Sequence, residues 1–378
     1  MWGIQGLSGL VSDEVFFVRD GQAYSQQRSY FDPHPPLGKM LIAGSIAVVG
    51  DSPIGWRMIS ALFGAACIPL SWYTVWYLTK KQRAATIAMV LVLLDGALLV
   101  DSRLGLINTT WIALAMASFV VVLSAQDKRF PWWRIGVAGV LIGCGLATKW
   151  LAAAVWVPLV VYWLSVHWNR STRDRWIAMS LLILVPCGIY IGISLLHHAL
   201  LPGTETFFVL QQHMLQYHLT VPSVGDPNAQ QWWGWLIAWR PFPYFTGDGE
   251  SAFGVMRSLP NPFIWWTGSL VMVISLVKGW SAPATRWLNI LILFAWIPFA
   301  FVQRVMYSYH TLLFGIWMAL VVGIVLDRLI EKHRRLVLGY LLGAFLCWVW
   351  FLPWYLNIPL SPTQHQLRSW LPSWTIVR

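Results

Sequence analysis

Ten apolar runs, each closed by a short polar or basic loop, limit what this chain can fold into. They lie at 56–78, 85–100, 108–126, 135–148, 150–167, 176–197, 263–278, 287–303, 311–328 and 336–353. Crossing the hydrocarbon core of a bilayer takes roughly 20 apolar residues as a helix. Only 11% of the chain is charged, against about 25% in soluble domains. The predicted fold class is therefore an all-α polytopic membrane protein. The run at 135–148 is short, and Thr148-Lys149 barely separates it from the next, so the pair is either a tight hairpin of helices or one broken helix. Met40–Gly50 (MLIAGSIAVVG) is too short to span and reads as a helix lying in the interface or packed under a site. Cys67, Cys144, Cys187 and Cys347 each sit inside an apolar run and form no CxxC, so they read as core residues.

The loops set an orientation. Those at 79–84, 127–134, 168–175, 278–286 and 327–335 carry fifteen of the 26 Lys and Arg. Cytoplasmic loops collect these residues, so the formal charge of +11 marks a membrane topology and not a nucleic-acid partner. The expected organisation is a first extracytoplasmic loop at 1–55, a helical bundle at 56–197, an extracytoplasmic loop at 198–262, a second bundle at 263–353 and an extracytoplasmic tail at 354–378. Seven of the nine His lie on that outer side: His34, His197, His198, His213, His218, His310 and His365. No signal peptide is recognisable, because the first twelve residues are too short and lack a basic start. With ten spans, residue 1 begins outside with no span before it, and an upstream transmembrane helix is expected.

The polar stretch Val11–Lys39 is the candidate site. It holds Asp13 and Glu14, then Asp32-Pro33-His34-Pro35-Pro36, then Lys39. Three prolines in four residues fix φ and restrict the residues before them. A solvated tail has no use for that rigidity, whereas a site that holds Asp32 and His34 does. Arg103 and Lys149 follow span ends, where an ionisable residue is expensive and marks function unless it snorkels to headgroups. Arg304, Tyr307, Tyr309 and His310 form a second outer cluster, QRVMYSYH. The long loop adds HMLQYH and WWGWLIAWRPFPYF, whose Trp and Tyr read either as site residues or as an interfacial aromatic belt.

FDPHPPLGK at Phe31–Lys39 resembles the F-x-D-x-HPPLGK segment of the protein O-mannosyltransferases, multispanning enzymes of the GT-C type. Other pieces agree in order. They are Asp13-Glu14, Trp56-Arg57, DSRLGLIN, GLATKW at Gly145–Trp150, MLQYH, Trp235–Pro241 and R-x-x-Y-x-x-H at Arg304–His310. The match runs from about residue 13 to 350. The first span of the family is absent, and the 198–262 loop is too short for a β-trefoil MIR domain, which resembles the bacterial branch. The resemblance implies a GT-C fold of about 10–11 transmembrane helices. It implies transfer of mannose from a polyprenyl-phosphate-mannose donor to Ser/Thr hydroxyls of a protein acceptor, with inversion, on the extracytoplasmic face of the plasma membrane.

By position in that motif Asp13 is the expected base, with Glu14 and Asp32 orienting the acceptor or the base. His34, Lys39, Arg103, Lys149, Arg304, Tyr309 and His310 are the expected substrate-binding residues. His34 and His310 either donate to the phosphate or bind a divalent metal, so the metal requirement stays open, and no other cofactor is called for. The expected partners are the lipid donor, the protein acceptor and membrane lipids, with association with the protein translocation machinery as a further expectation. Two other classes compete. A GT-C transferase with a lipid or glycan acceptor shares the chemistry. A transporter would place its polar residues near the midplane within repeats, and the chain shows neither.

Overall fold

A computed structural model describes residues 7, 9–125, 132–220, 226–277, 282–302 and 304–376. In chain order the helices are α1 (Glu14–Ser25), α2 (Leu37–Val49), α3 (Pro53–Thr79), α4 (Gln82–Leu93), α5 (Gly96–Asp101), α6 (Asn108–Ser124), α7 (Trp132–Thr148) and α8 (Ala153–Val166). They continue with α9 (Thr172–Leu200), α10 (Phe207–Thr220), α11 (Pro262–Val277), α12 (Pro283–Trp296), α13 (Leu312–Leu329), α14 (Arg334–Leu356) and α15 (Pro362–Arg368). A two-stranded hairpin, β1 (Phe242–Thr246) and β2 (Val255–Ser258), lies in the long loop of this helical fold. The chain folds as two compact units. One comprises Asp13–Leu78 and Ser102–Val221; the other comprises Met1–Ser12, Thr79–Asp101 and Pro222–Arg378.

Within the described residues each of the ten apolar runs is largely helical, and five helical stretches among those residues are long and apolar enough to cross a membrane. The basic loops at 127–134 and 278–286 lie partly outside the described residues. Two joints were ambiguous or hidden. Thr148-Lys149 is a break: Lys149 is extended, its N–H bonds Gly145 O at 2.9 Å, and a 3-10 turn at Trp150–Ala152 leads into α8. The single run at 85–100 is two helices. Asp95 Oδ1 accepts from Leu98 N at 2.7 Å and caps α5. The stranded Leu94 carbonyl accepts from Asn261 Nδ2 at 3.2 Å.

In the unit that begins at Asp13, α1 lies along α2, and α7 packs between α6 and α9. Close approach there needs small residues. A Cβ on Gly143 would come within 2.9 Å of Ile189 and of the Pro186 backbone on α9. The outer face of α9 is left to lipid, since only 17% of its apolar window is buried. In the other unit α13 is the central post, 83% buried in protein, with α4, α11 and α12 around it. Its α4 neighbour is tied to it at the basic end, where Arg83 Nε donates to Asp327 Oδ1 at 2.5 Å and Nη2 to Glu331 at 2.8 Å. Among the cysteines, Cys67 and Cys347 are buried as expected, but Cys144 is half-buried and Cys187 faces outward from α9. None is in a disulfide.

Candidate active site

The opening acidic pair divides its labour by helix geometry. Asp13 is the N-cap residue of α1, and its carbonyl accepts from Phe16 N and Phe17 N at 3.1 and 3.2 Å. Its side chain makes no capping bond to the helix and is half-exposed. Glu14, one residue on, points the other way and is fully buried. Arg57 on α3 grips it with two bonds, Nε to Oε1 at 2.6 Å and Nη2 to Oε2 at 2.7 Å. Oε1 also accepts Gly105 N at 2.6 Å. That backbone can come so close because residue 105 is glycine: a Cβ would meet Trp56 O and Val18 Cγ2 at 2.9 Å each. Glu14 thus welds the start of α1 to α3 and to the segment that carries Arg103.

The proline turn is a second brace. Asp32 Oδ1 accepts His34 N at 2.7 Å, an Asx-type turn. It also accepts Lys39 Nζ at 2.9 Å, while the same ammonium donates to His34 O at 2.5 Å and Pro35 O at 2.8 Å. Lys39 is fully buried and all three of its donors are engaged. The prolines hold the carbonyls where one ammonium reaches both. Lys39 is therefore a structural clasp of the proline turn. His34 is left half-exposed, its ring tilted on Phe17 at 6.1 Å and on His218 of α10 at 5.5 Å. His218 Nε2 lies 2.9 Å from Pro33 O, so its N–H donates there and the tautomer is set.

Arg103 and Lys149 do not snorkel. They are 7% and 4% exposed, inside protein. Lys149 Nζ donates to Asn108 Oδ1 at 2.9 Å. Burial, with a smaller push from Arg57, lowers Arg103 to about 10, which leaves it charged at neutral pH.

Arg304, Tyr309 and His310 belong to the other unit. His310 Nδ1 faces the Tyr307 backbone, at 3.3 Å from N and 3.1 Å from O, and closes a capping box before α13. Its ring stacks on Tyr309 at 4.6 Å. Arg304 and Arg240 line one cavity of about 590 Å³, with Trp233, Trp239, Gln230 and Asp226. The wall that bears Trp233 and Arg240 is a 3-10 turn, Trp232–Ile237, and the residues that follow it, with carbonyls held from outside. Trp296 Nε1 donates to Trp232 O (2.9 Å), Trp265 to Trp235 O (2.6 Å), Ser269 to Leu236 O (2.6 Å), Trp266 to Ile237 O (3.0 Å) and Trp374 to Ala238 O (2.8 Å). Ser373 takes Trp239 O. This aromatic stretch is a clamped platform, and a simple interfacial belt does not describe it.

The ten sequence-predicted residues thus fall into two groups. Asp13, Glu14, Asp32, His34, Lys39, Arg103 and Lys149 share one unit, and Arg304, Tyr309 and His310 the other. Among the described residues no three His, Cys, Asp or Glu side chains converge to hold a metal ion. Sequence reasoning missed Arg57 as the partner of Glu14, although a cation one turn into an apolar helix is itself a functional signal. It also assigned no role to Asn108 or Asp20.

This architecture is that of a GT-C glycosyltransferase. The Saccharomyces cerevisiae Pmt1–Pmt2 complex bound to its sugar donor matches with a TM-score of 0.84 over 98% of this chain and 90% of that one, at 12% identity. ArnT of Cupriavidus metallidurans bound to undecaprenyl phosphate matches at 0.64 over 85% and 57%, at 14% identity. The family model "Dolichyl-phosphate-mannose-protein mannosyltransferase" matches residues 1–56 and 48–202, more than half the chain, and the protein belongs to that family. It is 23% identical to the polyprenol-phosphate-mannose–protein mannosyltransferase of Mycobacterium tuberculosis over 90% of this chain and 80% of that one. The protein of the same name from Corynebacterium glutamicum is also 23% identical, over 96% and 88%.

Proposed function

We propose that this enzyme transfers mannose from polyprenyl-phosphate-mannose to Ser or Thr hydroxyls of proteins, at the extracytoplasmic face of the plasma membrane and with inversion. The observation that carries the reading is the unequal state of three carboxylates within the family match. Glu14 and Asp32 are buried in ion pairs, while Asp13 stands half-exposed beside them. A Ser or Thr hydroxyl is a weak nucleophile, so a carboxylate must take its proton as the new bond forms. Asp13 is that base. The acceptor oxygen bonds to the anomeric carbon, the carbon–oxygen bond to phosphate breaks, and the electron pair leaves on the lipid phosphate. Glu14 and Asp32 hold the base and the proline turn in place.

The departing phosphate gains charge that pre-placed cations stabilise. Arg103 and Lys149 supply them from one unit, buried and held by the protein. Arg304 is carried to the same role by its motif, with Arg240 beside it in the cavity wall. His34, Tyr309 and His310 are assigned as donors to substrate oxygens. The basic loops support a cytoplasmic side opposite the site. An acceptor chain must present its hydroxyl before it folds, which supports association with the translocation machinery.

The test is transfer of labelled mannose from polyprenyl-phosphate-mannose to a Ser/Thr peptide by membranes containing the protein. Label in the peptide is expected, lost with Asp13→Asn. Label appearing only in lipid or glycan would replace the protein acceptor by another.

A further inference from the structure

Asp20 stands apart from every other acidic residue of its unit. It lies on α1 seven residues after Asp13, on the same helix face and about 10.5 Å along the axis. It is half-buried. Yet no described residue forms a hydrogen bond or an ion pair with its carboxylate. Its neighbours are already committed. Lys39 gives its three N–H groups to Asp32, His34 O and Pro35 O. Tyr24, one turn on, bonds Tyr30 at 3.2 Å and His197 at 2.7 Å. Arg28 Nη2 reaches Arg19 O at 3.4 Å. Half-buried, the carboxylate still reaches solvent, so it can accept a bond from a ligand without giving up one inside the protein.

Burial and the Asp32 carboxylate push Asp20 up to about 7, against the opposite pull of Lys39 and Arg28. A folded chain that keeps such a group keeps it for something that arrives. Phe17 lies between Asp13 and Asp20 on this face, its ring against that of His34. The face therefore reads carboxylate, aromatic pair, carboxylate.

We propose that Asp20 reads the transferred sugar, accepting hydrogen bonds from the ring hydroxyls farthest from the anomeric carbon. The proposal rests on the mannosyl-transfer reading. Two helical turns, about 10.5 Å along the axis, separate the two residues, a spacing on the scale of one hexose with a hydrogen bond at either end. The apolar face of a pyranose suits the half-exposed His34 ring, which Phe17 backs from the core. The ligand is a neutral diol and not a cation, because Lys39 and Arg28 already supply positive charge beside Asp20. A carboxylate offers two oxygens to two neighbouring hydroxyls and balances no further charge.

The experiment compares wild type, Asp20→Asn and Asp20→Glu with the mannosyl donor and with donors lacking one ring hydroxyl each. A hydrogen bond to a charged group is worth about 1.5–3 kcal/mol. Wild type should lose about 10- to 150-fold in kcat/KM with the donor that lacks the recognised hydroxyl. Asp20→Asn should lose a similar factor with the intact donor, and then little more with that deoxy donor. Its peptide KM should not change. The wild-type donor KM should rise as pH falls below 7, and that of Asp20→Asn should not. Wild type that tolerates every deoxy donor overturns the proposal whatever the variants do, as does Asp20→Asn with wild-type sugar selectivity. An enzyme that uses no mannosyl donor at all fails the parent reading instead, and the two failures are told apart in the first assay.

Discussion

Glu14 and Arg57 meet in a bidentate pair, both bonds at or under 2.7 Å, with neither side chain more than 1% exposed. Forty-three residues separate them, so the pair fixes a long-range contact and not a local turn. Removing one partner strands the other charge in the interior, which costs about 3–5 kcal/mol. Glu14→Gln should therefore lower the thermal midpoint of the detergent-purified enzyme well beyond its effect on donor affinity. A variant as stable as wild type would show that Arg57 is satisfied without Glu14.

Asp13→Asn should behave in the opposite way. The side chain caps no helix N–H and is half-exposed, so the fold has little to lose. The reaction loses its proton acceptor, and turnover should fall by about 10² to 10⁴ with the thermal midpoint and donor binding nearly unchanged. Near-normal turnover, with a collapse in Asp32→Asn instead, would exchange the roles of the two residues.

Arg304→Ala should raise the KM for the lipid donor while leaving that for the peptide in place, because its assigned partner is phosphate and not acceptor. Arg304→Lys should recover part of the loss, since a point charge remains but the planar fork does not. Unchanged donor kinetics would return Arg304 to a purely structural place in the cavity wall.

Asp20 makes stability depend on pH in a predictable direction. Its folded value of about 7 is raised above the ordinary 3.8. Wild type should be most stable, as far as this group goes, below about pH 4. That stability is lost as pH rises to 7 and stays lost above it. Asp20→Asn removes the dependence. Its thermal midpoint should match wild type at pH 4 and exceed it at pH 8. Parallel curves across that range would mean that Asp20 ionises without penalty.

The helices were legible because a bilayer demands apolar length, and length is written in a single run of residues. The interruption at Leu94–Asp95 was not, because the partner that satisfies the Leu94 carbonyl, Asn261, lies 167 residues away. The site shows the same division. Asp13, Glu14, Asp32 and His34 stood out as a polar group in a greasy chain, but nothing local separates the half-exposed carboxylate of Asp13 from the buried, paired ones of Glu14 and Asp32. That distinction appears only once Arg57 and Lys39 are seen to engage Glu14 and Asp32. Lys39 was named as a substrate-binding residue by its place in the HPPLGK motif. The three backbone and carboxylate oxygens around its ammonium depend on how the prolines turn the chain.

The platform at Trp232–Trp239 has a consequence for how the protein is made. Its carbonyls wait for Trp265, Trp266, Ser269 and Trp296, and then for Ser373 and Trp374. Those last two are synthesised more than 130 residues after the platform they fasten. Until that late segment is made, the Ala238 and Trp239 carbonyls lack the donors that hold them in the finished fold. A chain that stops short of Ser373 therefore lacks two of the six side-chain clamps on this wall of the cavity.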